Sequence, residues 1–146
     1  MSENRYLLKV EKIISATPEM VFDAWLDQGN IGKWLMPGDG ITVPNPVIDA
    51  KVGGQFSLAM QVGDNLLPHT GEYKKINRPN ELQFTWNSPH GTNGTDSIVT
   101  IQFEATGEGS TKVTLQHELL PTEAQRDDHN GGWERILNCL NDFSAK

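Results

Sequence analysis

The chain has 146 residues, 36% of them hydrophobic; that length suits one domain spanning 1–146, since chains usually divide only above about 250 residues and a core of this size closes without disulfides or metals. Its 19 acidic and 12 basic residues give a formal charge of −7, and no basic run exceeds Lys74-Lys75. Such a surface is repelled by nucleic-acid phosphates, which argues against nucleic acid as the main partner.

Tyr6 to Ser15 reads as a strand, with Leu8, Val10, Lys12 and Ile14 alternating against Leu7, Lys9, Glu11 and Ile13. Thr17-Pro18-Glu19 is a helix start: Thr17 caps, and Pro18 sits in the first turn, where its missing N–H costs nothing. Val21, Phe22, Trp25 and Leu26 then form an apolar stripe at helical spacing, ended by Gly29. A second short helix is predicted from Asn30 to Leu35, and Pro37 to Pro46 is turn-rich. About six strands are expected beyond it: Val47 to Lys51, Gly54 to Val62, Leu67 to Ile76, Glu81 to Asn87, Ser97 to Ala105 and Thr111 to Leu119. Turns at Gly63-Asp64-Asn65, Arg78-Pro79-Asn80 and Gly107-Glu108-Gly109 punctuate them, and Ser88 to Asp96 is a long polar loop. Thr122 with Gln125 makes a capping box that opens a last helix. Trp133, Ile136, Leu137, Leu140 and Phe143 recur along it as a wide apolar face. Gly131-Gly132 lies inside this helix, where each glycine costs roughly 1 kcal/mol relative to alanine, so a close approach or a bend should compensate. An antiparallel sheet commonly leaves one face open to water, and the long helix is the natural cover for the other.

With one cysteine, Cys139, no internal disulfide can form, which fits a reducing compartment. Cys139 lies between apolar neighbours and reads as a buried, inert structural thiol. Met1 to Arg5 has no apolar signal core, and the uncharged stretch Val52 to Gly63 is too short to cross a bilayer, which takes about 20 apolar residues. A soluble cytoplasmic protein with no membrane partner is the expectation. Asn93-Gly94-Thr95 matches a glycosylation sequon but reads as a turn.

Several short motifs occur in a telling order: Ala16-Thr17-Pro18-Glu19, Val21-Phe22-Asp23-Ala24-Trp25, Lys33-Trp34-Leu35-Met36-Pro37, Gly53-Gly54-Gln55-Phe56, Gly71-Glu72-Tyr73 with Arg78-Pro79, Leu82-Gln83-Phe84-Thr85-Trp86, and Gly131-Gly132-Trp133-Glu134 with Leu140. Together they resemble the homologue-like family of the activator of heat-shock protein 90 ATPase, within the START-like (SRPBCC) helix-grip superfamily. The family usually has a second aromatic after the position of Trp34, where this chain has Leu35. The resemblance implies an α+β fold of order β-α-α-β6-α, a curved antiparallel sheet gripping the C-terminal helix around an apolar cavity. It does not imply one activity, because the superfamily spans carriers, binders, cyclases and co-chaperone domains.

No catalytic or metal motif stands out. His69, His90, His117 and His129 form no close pair at ligand spacing, there is no nucleophile elbow, and Gly107-x-Gly109 opens no helix. No cofactor and no metal are therefore expected. Inward strand parity nominates Met60, Trp86 and Phe103 from the sheet as cavity lining, with Trp133 and Leu137 facing them from the helix. His117 shares parity with Val113 and Leu115, and His69 points inward unless a bulge intervenes. Each of these residues also suits plain core packing. Lys33-Trp34 reads as an anchor with its charge outside, and Asp127-Asp128 as a solvated pair favouring the helix dipole.

Three functions follow. One is non-catalytic binding of a small hydrophobic or aromatic molecule. Another is a co-chaperone-like or stress-response interaction domain with a chaperone partner; ATPase activation, which in the eukaryotic protein needs a further N-terminal domain, is not expected here. The third is a cyclase- or hydrolase-like enzyme using His117 or His69 as general acid/base; Glu118, adjacent to His117, points to the opposite face and is no partner for it. The oligomeric expectation is monomer or homodimer, since open sheet edges invite pairing.

Overall fold

In the computed structural model, residues 6–144 are described. Strand β1 (Tyr6–Ile14) leads to helix α1 (Pro18–Ala24), whose N-terminus is capped by Thr17: its Oγ1 accepts the Met20 N–H at 3.3 Å. The second helix expected at Asn30 to Leu35 is only a 3₁₀ turn, Ile31–Lys33. Trp34 behind it is fully buried while Lys33 stays exposed.

Strands β2 (Val47–Ile48), β3 (Gln55–Ser57), β4 (Met60–Val62), β5 (Asn65–Leu67), β6 (Thr70–Asn77), β7 (Glu81–Trp86), β8 (Ser97–Gly107) and β9 (Ser110–Leu120) precede helix α2 (Glu123–Ser144). Seven form one antiparallel sheet in the order β1-β9-β8-β7-β6-β3-β2. This is the α+β helix grip, with six strands beyond β1 in the main sheet. The sequence pattern merged two further strands into their neighbours. Gly54 to Val62 is divided into β3 and β4, and the next predicted strand into β5 and β6, because β4 and β5 leave the sheet as a separate hairpin. The break falls at Pro68, which has no N–H to give a ladder; beside it the Leu58 N–H donates to the His69 carbonyl at 2.7 Å.

Close approach fixes one glycine in the sheet. A Cβ on Gly71 of β6 would lie 1.9 Å from the Thr85 carbonyl oxygen and 2.4 Å from the Phe56 ring. In β9 a bulge does similar positional work. Leu8 pairs with His117 but Tyr6 pairs with Leu120, so β9 carries an extra residue there, and Leu119 takes φ 66°. The bulge shifts the side-chain parity, so that His117 and Leu120 both face the core and are fully buried.

Thr122 caps helix α2 as expected, its Oγ1 accepting the Gln125 N–H at 3.1 Å, but the reciprocal contact runs from the Thr122 hydroxyl, which donates to Gln125 Oε1 at 3.1 Å, in place of the Thr122 backbone N–H of a full capping box. The Gln125 side-chain amide then donates to the His90 carbonyl at 2.9 Å and to Asn93 Oδ1 at 2.8 Å, tying the 88–96 loop to the start of the helix. Trp133, Ile136, Leu137 and Leu140 bury the helix against the sheet. At the other side of the core, Phe22 of α1 packs edge-on against Phe103 at 5.2 Å, and Arg78 grips Asp23 through two hydrogen bonds of 2.7 and 2.9 Å. Cys139 is half-buried rather than buried, its thiol directed at the Met36 carbonyl.

Among the described residues no helix is long and apolar enough to cross a membrane.

Candidate functional site

The space between α2 and the sheet is not uniform. Its centre is packed with rings: Phe56, Phe84 and Tyr73 stand within 5.3–6.1 Å of one another. Trp25, Trp86 and Trp133 complete this packing, with Trp133 5.3 Å from Trp86 and 6.2 Å from Trp25. Only about 10 Å³ is left between them, at the threshold for a single water. The indole N–H groups of Trp25, Trp34 and Trp86 are buried without a hydrogen-bond partner among the described residues.

Beyond the Trp86–Trp133 pair the packing stops. These two rings form the floor of a cavity of about 250 Å³ whose other apolar walls are Pro37, Met60 and Ile136. His69, His90 and His129 supply its polar atoms, and Asp128 stands at its edge. His90 and Asp128 are exposed and mark the mouth, whereas Met60, Trp86, Trp133 and Ile136 are buried. Two glycines keep the walls thin. A Cβ on Gly91 would come within 2.9 Å of the His129 ring, and one on Gly132 would come within 3.3 Å of Pro37. Close approach thus accounts for Gly132 in mid-helix; Gly131 faces open space and has no such reason.

Four of the sequence-nominated residues, Met60, His69, Trp86 and Trp133, are brought together here. Three are not. Phe103 faces inward as its parity requires, but it lies under α1 against Phe22, away from the cavity. Leu137 is turned toward β1, beside Val10. His117 is fully buried behind the wall, its ring 4.9 Å from that of His129. Conversely, His90, His129, Pro37 and Ile136 were not nominated. For His129 and Ile136 a signal existed: they lie four residues before and three after Trp133, on one helical face.

His117 is held by a chain of hydrogen bonds whose directions are fixed. The Trp133 indole N–H can only donate, and it reaches His117 Nδ1 at 3.0 Å. The neutral ring therefore carries its proton on Nε2 and donates it to Ser97 Oγ at 2.7 Å, while Ser97 donates to the Trp86 carbonyl at 2.6 Å. Burial, and then the neighbouring His129, hold the His117 imidazole well below its ordinary pKa. Both its nitrogens are occupied, so it orients Trp133 and offers no free lone pair for acid–base work.

The cavity histidines are arranged differently. His69 Nδ1 donates to the Leu67 carbonyl at 3.0 Å, and His129 Nδ1 donates to the Gln125 carbonyl at 2.8 Å. Burial lowers the His69 pKa to about 4 despite that carbonyl. Burial also lowers His129, with the Gln125 carbonyl and Asp128 acting against it. Both rings are neutral near pH 7, with the lone pair on Nε2. Among the described residues no group of three or more His, Cys, Asp or Glu side chains converges as a metal cluster.

Residues 15–144 match the family model described as Activator of Hsp90 ATPase homolog 1-like protein. The chain belongs to that family. Solved structures agree on the fold. A protein from Chromobacterium violaceum superposes with a TM-score of 0.85 at 22% identity, over 97% of this chain and 99% of that one. The AHSA1-like protein from Aeromonas hydrophila gives 0.77 at 25% identity, over 94% and 91%. An HSP90 activator from Plasmodium falciparum gives 0.74 at 22%, over 94% of each chain. No curated protein sequence matches this one.

Proposed function

We propose that this chain binds a small hydrophobic or aromatic molecule, without chemistry, in the cavity between the sheet and α2. The observation that carries this reading is the abrupt end of packing at Trp86 and Trp133, where about 250 Å³ remains open against two buried indoles. Small-molecule sites are concave, mostly apolar and furnished with a few placed polar groups. This volume lies just under the range of roughly 300–1,000 Å³ typical of drug-sized ligands, so the ligand is one or two rings in size. Met60, His69, Trp86 and Trp133 are its contacts in this reading, with His90, His129 and Ile136. Native mass spectrometry of the purified protein, followed by thermal shifts with small aromatic and aliphatic compounds, tests it. A retained mass or a saturable rise in Tm supports the proposal. Neither effect across the set overturns it.

A second reading is supported by two of the comparisons. The matching family is described by the Hsp90 ATPase activator, and one structural neighbour is itself an HSP90 activator. In that reading the chain is a co-chaperone-like, stress-response domain with a chaperone as partner. A pull-down in which the Hsp90-type chaperone is not enriched counts against it. We further propose a cytoplasmic location and a monomeric or homodimeric state. The lone cysteine is in keeping with the first; cell fractionation and light scattering test the two.

A further inference from the structure

The buried part of the cavity presents hydrogen-bond acceptors. His69 and His129 each give their only ring proton to a backbone carbonyl, at 3.0 and 2.8 Å, which leaves Nε2 of each as an acceptor. No hydrogen-bond partner of His129 Nε2 is found among the described residues, while the His69 ring also lies within reach of the Leu58 backbone. No lysine or arginine lines the cavity, Asp128 stands at its mouth, and the chain as a whole carries a formal charge of −7. A carboxylate or phosphate entering this space loses its water and finds no lysine or arginine to pair with, a costly transfer. The walls, meanwhile, are flat: the Trp86 and Trp133 rings lie 5.3 Å apart, and the His69 ring sits 5.1 Å from Trp86 at a tilt of 37°. Aromatic faces of this kind accept another ring in an offset or edge-on arrangement.

We infer that the site selects neutral aromatic molecules carrying a hydroxyl or N–H donor, phenols above all, and rejects aromatic carboxylates of the same size. This rests on the ligand-binding reading of the same cavity and goes further by naming the ligand's chemistry. The ring lies against Trp86 and Trp133, and its donor reaches Nε2 of His69 or His129. The backbone carbonyls of Leu67 and Gln125 act as positioning groups, since they fix which nitrogen of each ring is left to accept.

Three probes sharing one ring system separate the possibilities: 2-naphthol, 2-naphthoate and naphthalene, titrated into the full chain near neutral pH by calorimetry. The expected ranking puts 2-naphthol about fivefold tighter than naphthalene, the worth of one net hydrogen bond. 2-Naphthoate should bind at least about tenfold more weakly than 2-naphthol. His69→Phe or His129→Phe should reduce the ratio of 2-naphthol to naphthalene affinity toward one. Equal affinity for naphthalene and 2-naphthol, or tightest binding of 2-naphthoate, overturns the inference but leaves the cavity as a binding site. No binding of any of the three overturns both. Should a phenylalanine variant fail to fold, the ranking on the unaltered chain decides alone.

Discussion

The same helix and sheet enclose two regions that end differently. At the centre, Trp25, Phe56, Tyr73, Phe84, Trp86 and Trp133 fill the gap to within about 10 Å³. One ring-width further on, past the Trp86–Trp133 pair, about 250 Å³ stays open. The difference lies in side-chain size and polarity. The centre receives large rings from both layers. The open end receives His69 and His129, whose proton-bearing nitrogens are tied to backbone carbonyls, and two glycines, Gly91 and Gly132, where even a Cβ would touch the facing wall. A core position and a site position can therefore share parity and helical face. What separates them is whether the opposite residue is large enough to close the gap.

The sharpest way to break this contrast is to hollow out the filled region. Phe84→Ala removes a buried ring that touches Phe56 and Tyr73, and we expect a loss of about 3–5 kcal/mol in urea unfolding. His90→Ala at the exposed mouth should change stability by less than about 0.5 kcal/mol. Equal costs at the two positions would mean that the two regions are not distinct.

His117 joins the two regions, because it holds the Trp133 indole that separates them. His117→Phe keeps the ring but leaves the Trp133 N–H without its acceptor, at a cost of about 1–3 kcal/mol. His117→Gln, which can still accept and donate, should recover part of that loss. If the phenylalanine variant is as stable as the unaltered chain, the hydrogen-bond chain is not what positions Trp133.

Stability should also respond to pH through the buried histidines. Their folded pKa values lie below the unfolded value of about 6.5, so below that pH the unfolded chain binds more protons than the folded one. Their contribution is therefore complete above about pH 6.5 and declines as pH falls toward the folded values, about 4 for His69. Urea midpoints across this range should fall less steeply for His117→Gln than for the unaltered chain. An identical slope would remove His117 from the account.

The smallest effect is expected at the paired helix glycines. Gly131 has open space around its missing Cβ, so Gly131→Ala should raise stability by about 0.5–1 kcal/mol. Gly132→Ala must push against Pro37 at 3.3 Å and should gain less. A larger gain at Gly132 would show that its glycine is not set by the cavity wall.

Local chemistry made much of this fold legible in the sequence. Thr17, Pro18 and the Thr122–Gln125 box announced both helices, and strict alternation announced β1, β7, β8 and β9. The turn at Gly63-Asp64-Asn65 was legible, but the departure of β4 and β5 from the main sheet was hidden because alternation continues through Leu58 and Ala59 without a breaker; only Pro68 on the returning strand marked it. The short helix after α1 was overestimated because Ile31 and Trp34 are spaced for a helix, whereas a single 3₁₀ turn suffices to bury them. For the site, parity selected the right face but could not say how far along it the cavity reaches, and Phe103 and Leu137 face the core elsewhere. His90, Gly91 and Pro37 come from loops, where no period exists to read. His129 was readable from its spacing to Trp133, although a polar residue adds nothing to the apolar stripe by which a helix face is recognised.

The central claim is that the space beyond Trp86 and Trp133 receives an aromatic ring. A crystal structure with 6-bromo-2-naphthol, read from the anomalous signal of its bromine, tests this most directly. The account predicts one ordered ring against Trp86 and Trp133, its hydroxyl within hydrogen-bond distance of Nε2 of His69 or His129. Bromine density at another surface, with this cavity unchanged, would contradict it.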